Sequence, residues 1–197
     1  MRTFRDGRYR AFFTLLYQCG LRLSEAIHIQ PKDIDSARLV IRITHAKGGR
    51  QREIPITPEL LSRLRTFWKA HRNPRWLFPG VGRGWKASVL SLRQALHDHH
   101  LPRSKAGIWS AIKLATIESG LHKKHSHLSC HTLRHSYATH MLEGGIQLHQ
   151  LSAYLGHRSL KPTLVYLHLT DISEKKARVA LTTLALPDTP LQPSHKK

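Results

Sequence analysis

The residues best suited to chemistry stand in the second half of the chain, in a fixed order. The box 131–136 (HTLRHS) holds Arg134 between two histidines, an LGH triplet ends at His157, and Tyr166 stands nine residues later. The planar fork of an arginine can hold two oxygens of a phosphodiester, and histidine exchanges protons near neutral pH. A suitably placed tyrosine can attack the phosphorus covalently. The pattern therefore indicates nucleophilic chemistry on a phosphodiester.

Two boxes in the first half of the chain supply further positive charge. GLRLSE contains Arg22, with Glu25 three residues later, and KGGRQREIP begins at Lys47. Arg22 would neutralise phosphate oxygens, and Glu25 is expected to orient an arginine or cap a helix rather than act as a base. Lys47 opens a basic turn from which it could protonate a leaving oxygen. Arg50 and Arg52 are competing candidates, and a turn that only binds backbone phosphates is the simpler alternative.

Each of these side chains has an ordinary explanation when it is taken alone. In so basic a chain an arginine is usually a surface residue, but Leu133 and Met141 place apolar helix positions around Arg134, where an unused guanidinium is costly. His131 lies three residues before Arg134 and shares its helix face. It could accept a tyrosyl proton or hydrogen-bond the phosphate. His135 points elsewhere on the helix and is predicted to be structural.

Of the five tyrosines, Tyr166 is the best candidate for the nucleophile. Tyr9 and Tyr17 lie on the first predicted helix, outside every box. Tyr137 and Tyr154 belong to helices that carry boxes, but their apolar neighbours predict packing roles. Tyr166 stands in a short segment that could pivot, which suits a group that has to approach and leave a phosphate.

The charge balance restricts the class of partner. Lys and Arg number 32 against 12 Asp and Glu, which gives a formal net charge of +20 and a pI near 10.8. Such self-repulsion is normally relieved by a polyanion, and nucleic acid is the usual one. A hydrophobic content of 40% over 197 residues predicts one large packed domain rather than a basic tail.

The sequence gives no sign of export, membrane insertion or metal binding. Its N-terminus lacks an apolar signal region, and no stretch approaches about 18 apolar residues. Cys19 and Cys130 lack disulfide or zinc spacing, and the histidine-rich run over 122–131 has no standard ligand pattern. We therefore expect a cytoplasmic protein, in the nucleoid if it is bacterial, that uses no metal and no cofactor.

Periodicity predicts a mainly α domain with a small antiparallel β-hairpin or sheet. Helices are predicted over 9–19, 23–29, 58–70, 88–99, 104–118, 131–143, 148–155 and 172–186. Strands over 38–44 and 52–56 flank a turn that contains glycine and should pair. Thr57 is the expected N-cap of the third helix, and residues 187–197 are expected to be disordered.

The boxes, in this order and spacing, resemble the catalytic domain of the tyrosine recombinases (phage integrase, Xer-type), from about residue 10 to residue 186. The residues that carry the resemblance are Arg22, Lys47, His131, Arg134, His157 and Tyr166. It implies a site-specific recombinase that cuts and rejoins DNA through a 3′-phosphotyrosyl intermediate, without metal or ATP. It also implies that Tyr166 is the nucleophile, that His157 is the second histidine, and that Lys47 is the acid.

The resemblance further implies the partners. These are a double-stranded DNA recombination site and further copies of the chain, as a tetramer on synapsed DNA joined through a C-terminal helix at 172–186. Free in solution the chain could be a monomer. The candidate DNA-contacting residues are Arg50, Arg52, Arg158 and Lys161. The family usually carries an N-terminal core-binding arm, which we expect to be absent, so that 1–186 is the catalytic domain.

Two other functions are compatible with the sequence. One is a DNA-binding regulator that has lost turnover, and the other is a type IB topoisomerase, which uses similar chemistry without synapsis. The interval from the LGH triplet to Tyr166 resembles the recombinases more closely. The segment 161–170 resembles integrases found beside insertion sequences.

Overall fold

The computed structural model describes residues 7–45, 51–82, 91–125 and 128–167. In chain order the elements are α1 (Gly7–Cys19), α2 (Leu23–Ile27), β1 (Ile34–Asp35), β2 (Val40–Ile43), β3 (Arg52–Pro55), α3 (Pro58–His71), α4 (Leu92–Asp98), α5 (Lys105–Glu118), α6 (Cys130–Glu143), α7 (Leu148–Leu155) and α8 (Lys161–Leu164). Short 3-10 turns lie at Pro31–Asp33 and Leu121–Lys123. The prediction of a mainly α domain with a small antiparallel sheet is confirmed.

The sheet has the order β1-β2-β3, and both pairings are antiparallel. Ile41, Ile43 and Ile54 are buried, so one face of the sheet packs on the core. Side chains alternate along a strand. Arg52 therefore shares the inner face with Ile54, whereas Glu53 lies on the outer face.

The strands differ from the predicted ones at one edge. Leu39 adopts a positive φ of 52° within the turn that precedes β2, so the predicted strand over 38–44 begins only at Val40. The two-residue strand β1 was not predicted. It forms because Ile34 pairs with Ile41 in the antiparallel register.

The helices follow the predicted pattern, with shifted ends. The Thr57 hydroxyl accepts a hydrogen bond from the backbone N–H of Leu60 at 3.2 Å, as expected of the N-cap of α3. The helix predicted from residue 88 begins at Leu92, because Ser91 caps it. The helix α8 was not predicted. The segments 172–186 and 187–197, for which a helix and a disordered tail were predicted, lie outside the described residues.

Two hydrophobic clusters form the core. The larger one joins α1, α2, the sheet and α3, and the smaller one joins α6, α7 and the segment of Tyr166. They come close at Gly20, which ends α1 with a φ of +57° and lies so near the Tyr137 ring that a Cβ would overlap it. This approach brings the end of α1 and the start of α2 beside α6 and the end of α7.

Candidate active site

Arg134 on α6 lies at the junction of the two clusters. Its side chain is buried and donates through Nη1 to the Gly20 carbonyl and through Nη2 to the Leu155 carbonyl, each at 2.7 Å. These carbonyls lie at the C-terminal ends of α1 and α7, where backbone oxygens lack helical partners and attract positive charge. Burial, followed by the like charge of Arg22, lowers the pKa of Arg134 to about 10, so it stays charged at neutral pH.

His157, just after α7, contacts Arg134 directly. Its Nε2 lies 3.1 Å from Arg134 Nη2, and its Nδ1 lies 2.8 Å from the Thr163 hydroxyl. Burial, then the positive charges of Arg134, Arg22 and Arg52, lowers the pKa of His157 to about 4. The imidazole is therefore neutral at physiological pH.

Arg22 is held by Glu25, and Glu25 is shared with Arg52. The Glu25 carboxylate accepts from the Arg22 backbone N–H at 2.9 Å and from Arg22 Nη1 at 3.0 Å, so it both caps α2 and orients the arginine. It also accepts hydrogen bonds from Nη1 and Nη2 of Arg52, at 3.0 and 2.8 Å. Burial would raise the pKa of Glu25, but the hydrogen bonds and charges of Arg52 and Arg22 outweigh it, and the carboxylate stays ionised.

Arg52 has a different environment from the one expected. Its side chain is only 9% exposed, and its Nε donates to the Tyr154 carbonyl at 2.7 Å. Three of its nitrogens are thus engaged within the protein, which argues against the predicted direct contact with DNA. Together Arg52 and Arg134 hold two adjacent carbonyls at the end of α7, Tyr154 and Leu155. The end of α7 therefore serves as a support for both guanidiniums and for His157.

Tyr166 is buried, and its phenol lies within the electrostatic influence of Arg134 and Arg22. Burial raises its pKa, and the two arginines only partly oppose the shift. Its ring packs against His135, with centroids 5.4 Å apart. The prediction that His135 points away from the site is therefore wrong: one helical turn on from His131, it faces the segment that carries Tyr166.

His131 is exposed, and it lines the same small cavity as Arg22, with a volume of about 250 Å³. Lys105 and Trp109 of α5 complete its rim. No box contains these two residues, so their sequence context offers no sign of a role in the site. The cavity is open to solvent and offers positive charge on two sides, from α2 and from α5.

The remaining predicted residues lie at the edge of the described site or outside it. Arg158 and Lys161 are exposed, between His157 and Tyr166. Lys47 and Arg50 lie outside the described residues. Within the parts of the chain that the structure describes, no three His, Cys, Asp or Glu side chains are grouped so that they could hold a metal ion.

The model of the phage integrase family matches residues 3–172. The chain belongs to the phage integrase family. Among its relatives, a putative integrase/recombinase of Sinorhizobium fredii is 34% identical over 165 residues, which are 83% of this chain and 58% of that protein. Tyrosine recombinase XerD of Corynebacterium glutamicum is 36% identical over 165 residues, 84% of this chain and 49% of the relative. The chain thus spans about half the length of the curated relatives it matches.

Solved structures of the family share the fold. XerA recombinase superposes with a TM-score of 0.67 at 22% identity, covering 91% of this chain and 60% of that one. XerH, crystallised with its difH substrate before cleavage, superposes with a TM-score of 0.66 at 20% identity, covering 90% of this chain and 47% of that one. No helix in the described parts of this family member is long and apolar enough to cross a membrane.

Proposed function

We propose that this chain is the catalytic domain of a site-specific recombinase that cuts and rejoins double-stranded DNA through a 3′-phosphotyrosyl intermediate. Membership of the phage integrase family supports a role in DNA recombination. Among the structural neighbours, XerH was crystallised with its difH DNA. The chain's formal net charge of +20 suits the same kind of partner.

One observation carries the proposal: Arg134 and His157, which is neutral at physiological pH, are in contact at the end of α7, and Arg22 and Tyr166 lie near enough to interact electrostatically with Arg134. Arg134 contacts His157, and the phenol of Tyr166 experiences the charges of Arg134 and Arg22. Guanidiniums placed in advance where negative charge develops are the main requirement for phosphoryl transfer. Their positions are fixed by backbone carbonyls and by Glu25, so little reorganisation is needed when the phosphate arrives.

The reaction is a pair of transesterifications. Tyr166 Oη attacks phosphorus, the bond to the 5′ oxygen breaks, and the DNA remains joined to Tyr166 through its 3′ phosphate. The phenol proton passes to a base, for which exposed His131 is our candidate, and Lys47 is proposed to protonate the leaving oxygen. In the reverse step a 5′ hydroxyl attacks and Tyr166 leaves. The phosphodiester energy is conserved, so the mechanism requires no ATP, and we propose that the arginines take the charge-neutralising role that a metal ion has in other phosphoryl-transfer enzymes.

The test uses a pool of nicked DNA duplexes in which the sequence around the nick is randomised. Cleavage near the nick releases a short fragment that diffuses away, which traps any covalent complex. The purified chain is incubated with the pool in EDTA, and DNA that remains attached after denaturation is sequenced. Mass spectrometry of the attached peptide then identifies the modified residue.

The outcomes separate the candidate functions. A DNA adduct on Tyr166 that is transferred to a second duplex supports the recombinase. An adduct accompanied only by relaxation of supercoiled plasmid would make the protein a type IB topoisomerase. DNA binding without any adduct would indicate a regulator without turnover. The last two results would each contradict the proposal.

A further inference from the structure

Thr163 has no role in the bond-making and bond-breaking steps proposed above. It lies in α8, three residues before Tyr166, and its side chain is fully buried. A buried hydroxyl requires a hydrogen-bond partner. Threonine in a helix often bonds the carbonyl one turn back along its own helix. Here the hydroxyl instead lies 2.8 Å from Nδ1 of His157.

This contact and the contact with Arg134 together determine where the proton of His157 resides. Arginine only donates hydrogen bonds, so the nitrogen that faces Arg134 Nη2 at 3.1 Å has to accept one. Nε2 therefore carries the lone pair, and in a neutral ring Nδ1 carries the hydrogen. That hydrogen is donated to the Thr163 hydroxyl. Turning the ring over would replace both nitrogens by carbon atoms and break both bonds.

Thr163 also supports the turn that carries the proposed nucleophile. The backbone N–H of Tyr166 donates to the Thr163 carbonyl at 3.1 Å, and the N–H of Thr163 donates to the Leu160 carbonyl at 2.8 Å. One residue thus contacts His157 through its side chain and Tyr166 through its backbone. A displacement of the turn would change both contacts together.

We propose that Thr163 is a positioning residue that fixes His157 in its Nδ1–H form, so that the ring aligns Arg134, and that couples this alignment to the turn of Tyr166. The consequence for DNA cleavage rests on the function proposed above. The assignment of the tautomer does not, because it follows from the protein alone.

The first test is an NMR measurement on the full chain without DNA. Long-range proton–nitrogen spectra distinguish a protonated ring nitrogen from one with a lone pair. The signals of His157 are assigned by their loss in His157→Gln. At neutral pH we expect wild-type His157 to be neutral with the hydrogen on Nδ1. Finding the hydrogen on Nε2 would overturn the proposal without the use of any Thr163 variant.

The second test compares Thr163→Val with Thr163→Ser. Valine keeps the shape of the side chain and removes the hydroxyl, whereas serine keeps the hydroxyl. We expect His157 in Thr163→Val to lose its strict preference for Nδ1–H, and we expect Thr163→Ser to retain it. Thr14→Val is the matched control, because the Thr14 hydroxyl donates to the Arg10 carbonyl of its own helix, outside the candidate site. An unchanged His157 spectrum in Thr163→Val would contradict the proposal.

The third test measures the single-turnover rate of adduct formation on nicked duplexes recovered from the pool. Thr163→Val should slow this rate about tenfold, the size expected for the loss of one aligning hydrogen bond, with DNA affinity unchanged. Thr163→Ser should restore most of the rate, and Thr14→Val should equal wild type. A Thr163→Val rate within about twofold of wild type would refute the coupling. If wild type forms no adduct, the proposed function fails, while the NMR result still decides the role of Thr163.

Discussion

The phenol of Tyr166 keeps its proton at neutral pH, as tyrosine ordinarily does, and burial raises its pKa further than Arg134 and Arg22 lower it. Attack on phosphorus therefore needs a base and a neutralised phosphate at the same time. This requirement places Tyr166 at the centre of the proposed reaction. Tyr166 interacts electrostatically with Arg134 and Arg22, whereas the hydroxyl of the exposed Tyr17 is hydrogen-bonded to His140.

Tyr166→Phe should abolish the covalent adduct, because it removes the one oxygen that attacks. DNA affinity should stay near that of wild type, since no charge is lost. Tyr154→Phe is the matched control: it removes a hydroxyl whose hydrogen bond is to Gln150, on the exposed side of α7. Adducts are counted on denaturing gels and binding is followed by fluorescence anisotropy. An adduct in Tyr166→Phe at the wild-type level would refute the assignment of the nucleophile.

The depressed pKa of His157 predicts a pH dependence of stability. In the folded state this pKa is about 4, below the ordinary histidine value of 6.5, so the unfolded chain binds more protons between these values. The free energy of unfolding should therefore decrease as the pH falls from about 6.5 toward 4. In His157→Gln this decrease should be smaller. His149→Gln, at an exposed position on α7, should behave like wild type in urea titrations at pH 7 and pH 5. Equal pH dependence in all three proteins would contradict the prediction.

At the level of the elements, the end of α7 is held by two arginines that arrive from different parts of the chain. Gly156 ends the helix with a φ of +66°, and Arg52 lies so close that a Cβ at Gly156 would be 2.8 Å from its Nη1. Arg52 cannot move aside easily, because Glu25 and the Tyr154 carbonyl hold it. The glycine is thus required twice, for its backbone angle and for the space beside it.

Gly156→Ala should therefore destabilise the domain more than Gly120→Ala. Gly120 has a similar φ of +74°, but no atom lies within 4 Å of the position of a Cβ. Backbone strain alone should cost about 1–2 kcal/mol in both variants, and the displacement of Arg52 adds a further penalty only in Gly156→Ala. Chemical denaturation measures the difference. Equal losses in the two variants would show that Arg52 accommodates the methyl group.

For the whole molecule, the formal net charge of +20 predicts DNA binding that depends steeply on salt. If about six phosphates are contacted, affinity should fall by roughly three orders of magnitude between ~50 and ~200 mM salt. A double variant, Arg158→Gln with Lys161→Gln, should reduce the slope of log affinity against log salt by about two. An unchanged slope would exclude these two residues from the phosphate contacts.

A chain that ends after Thr170 tests the proposed assembly. The removed segment contains the apolar residues Ile172, Val179, Leu181, Leu184 and Leu186. We expect the shortened chain to keep its helical circular dichroism and to form the adduct, but not to bring two duplexes together in gel-shift assays. Normal synapsis by this chain would refute the role proposed for 172–186.

From the sequence, candidate site residues could be selected more readily than the contacts those residues make. Arg22, Arg134, His157 and Tyr166 could be selected because each stands in a recognisable box and the boxes have a family order. Arg52 was predicted as a DNA contact, and its bonds within the protein could not be foreseen because its partner Tyr154 lies 102 residues away and only packing brings the two together. Strand alternation with Ile54 was the available sign that Arg52 turns inward. The contacts of Thr163 with His157 and of His135 with Tyr166 were unforeseen for the same reason, since periodicity predicts the side of a helix on which a residue lies but not the residues that pack against that side.

The two carbonyls bound by Arg134 have a consequence for the evolution of copies that have lost activity. Replacing Arg134 removes a proposed phosphate ligand and also leaves the Gly20 and Leu155 oxygens without their buried donor, which typically costs about 1–3 kcal/mol per group. A gene copy that no longer needs to cut DNA, but still needs a folded product, would be under selection to keep this arginine. Loss of activity in descendants should therefore appear first at Tyr166, where Tyr166→Phe removes one oxygen and keeps the ring that packs against His135. A sequence survey that counts the arginine as a mark of activity would overestimate the number of working enzymes.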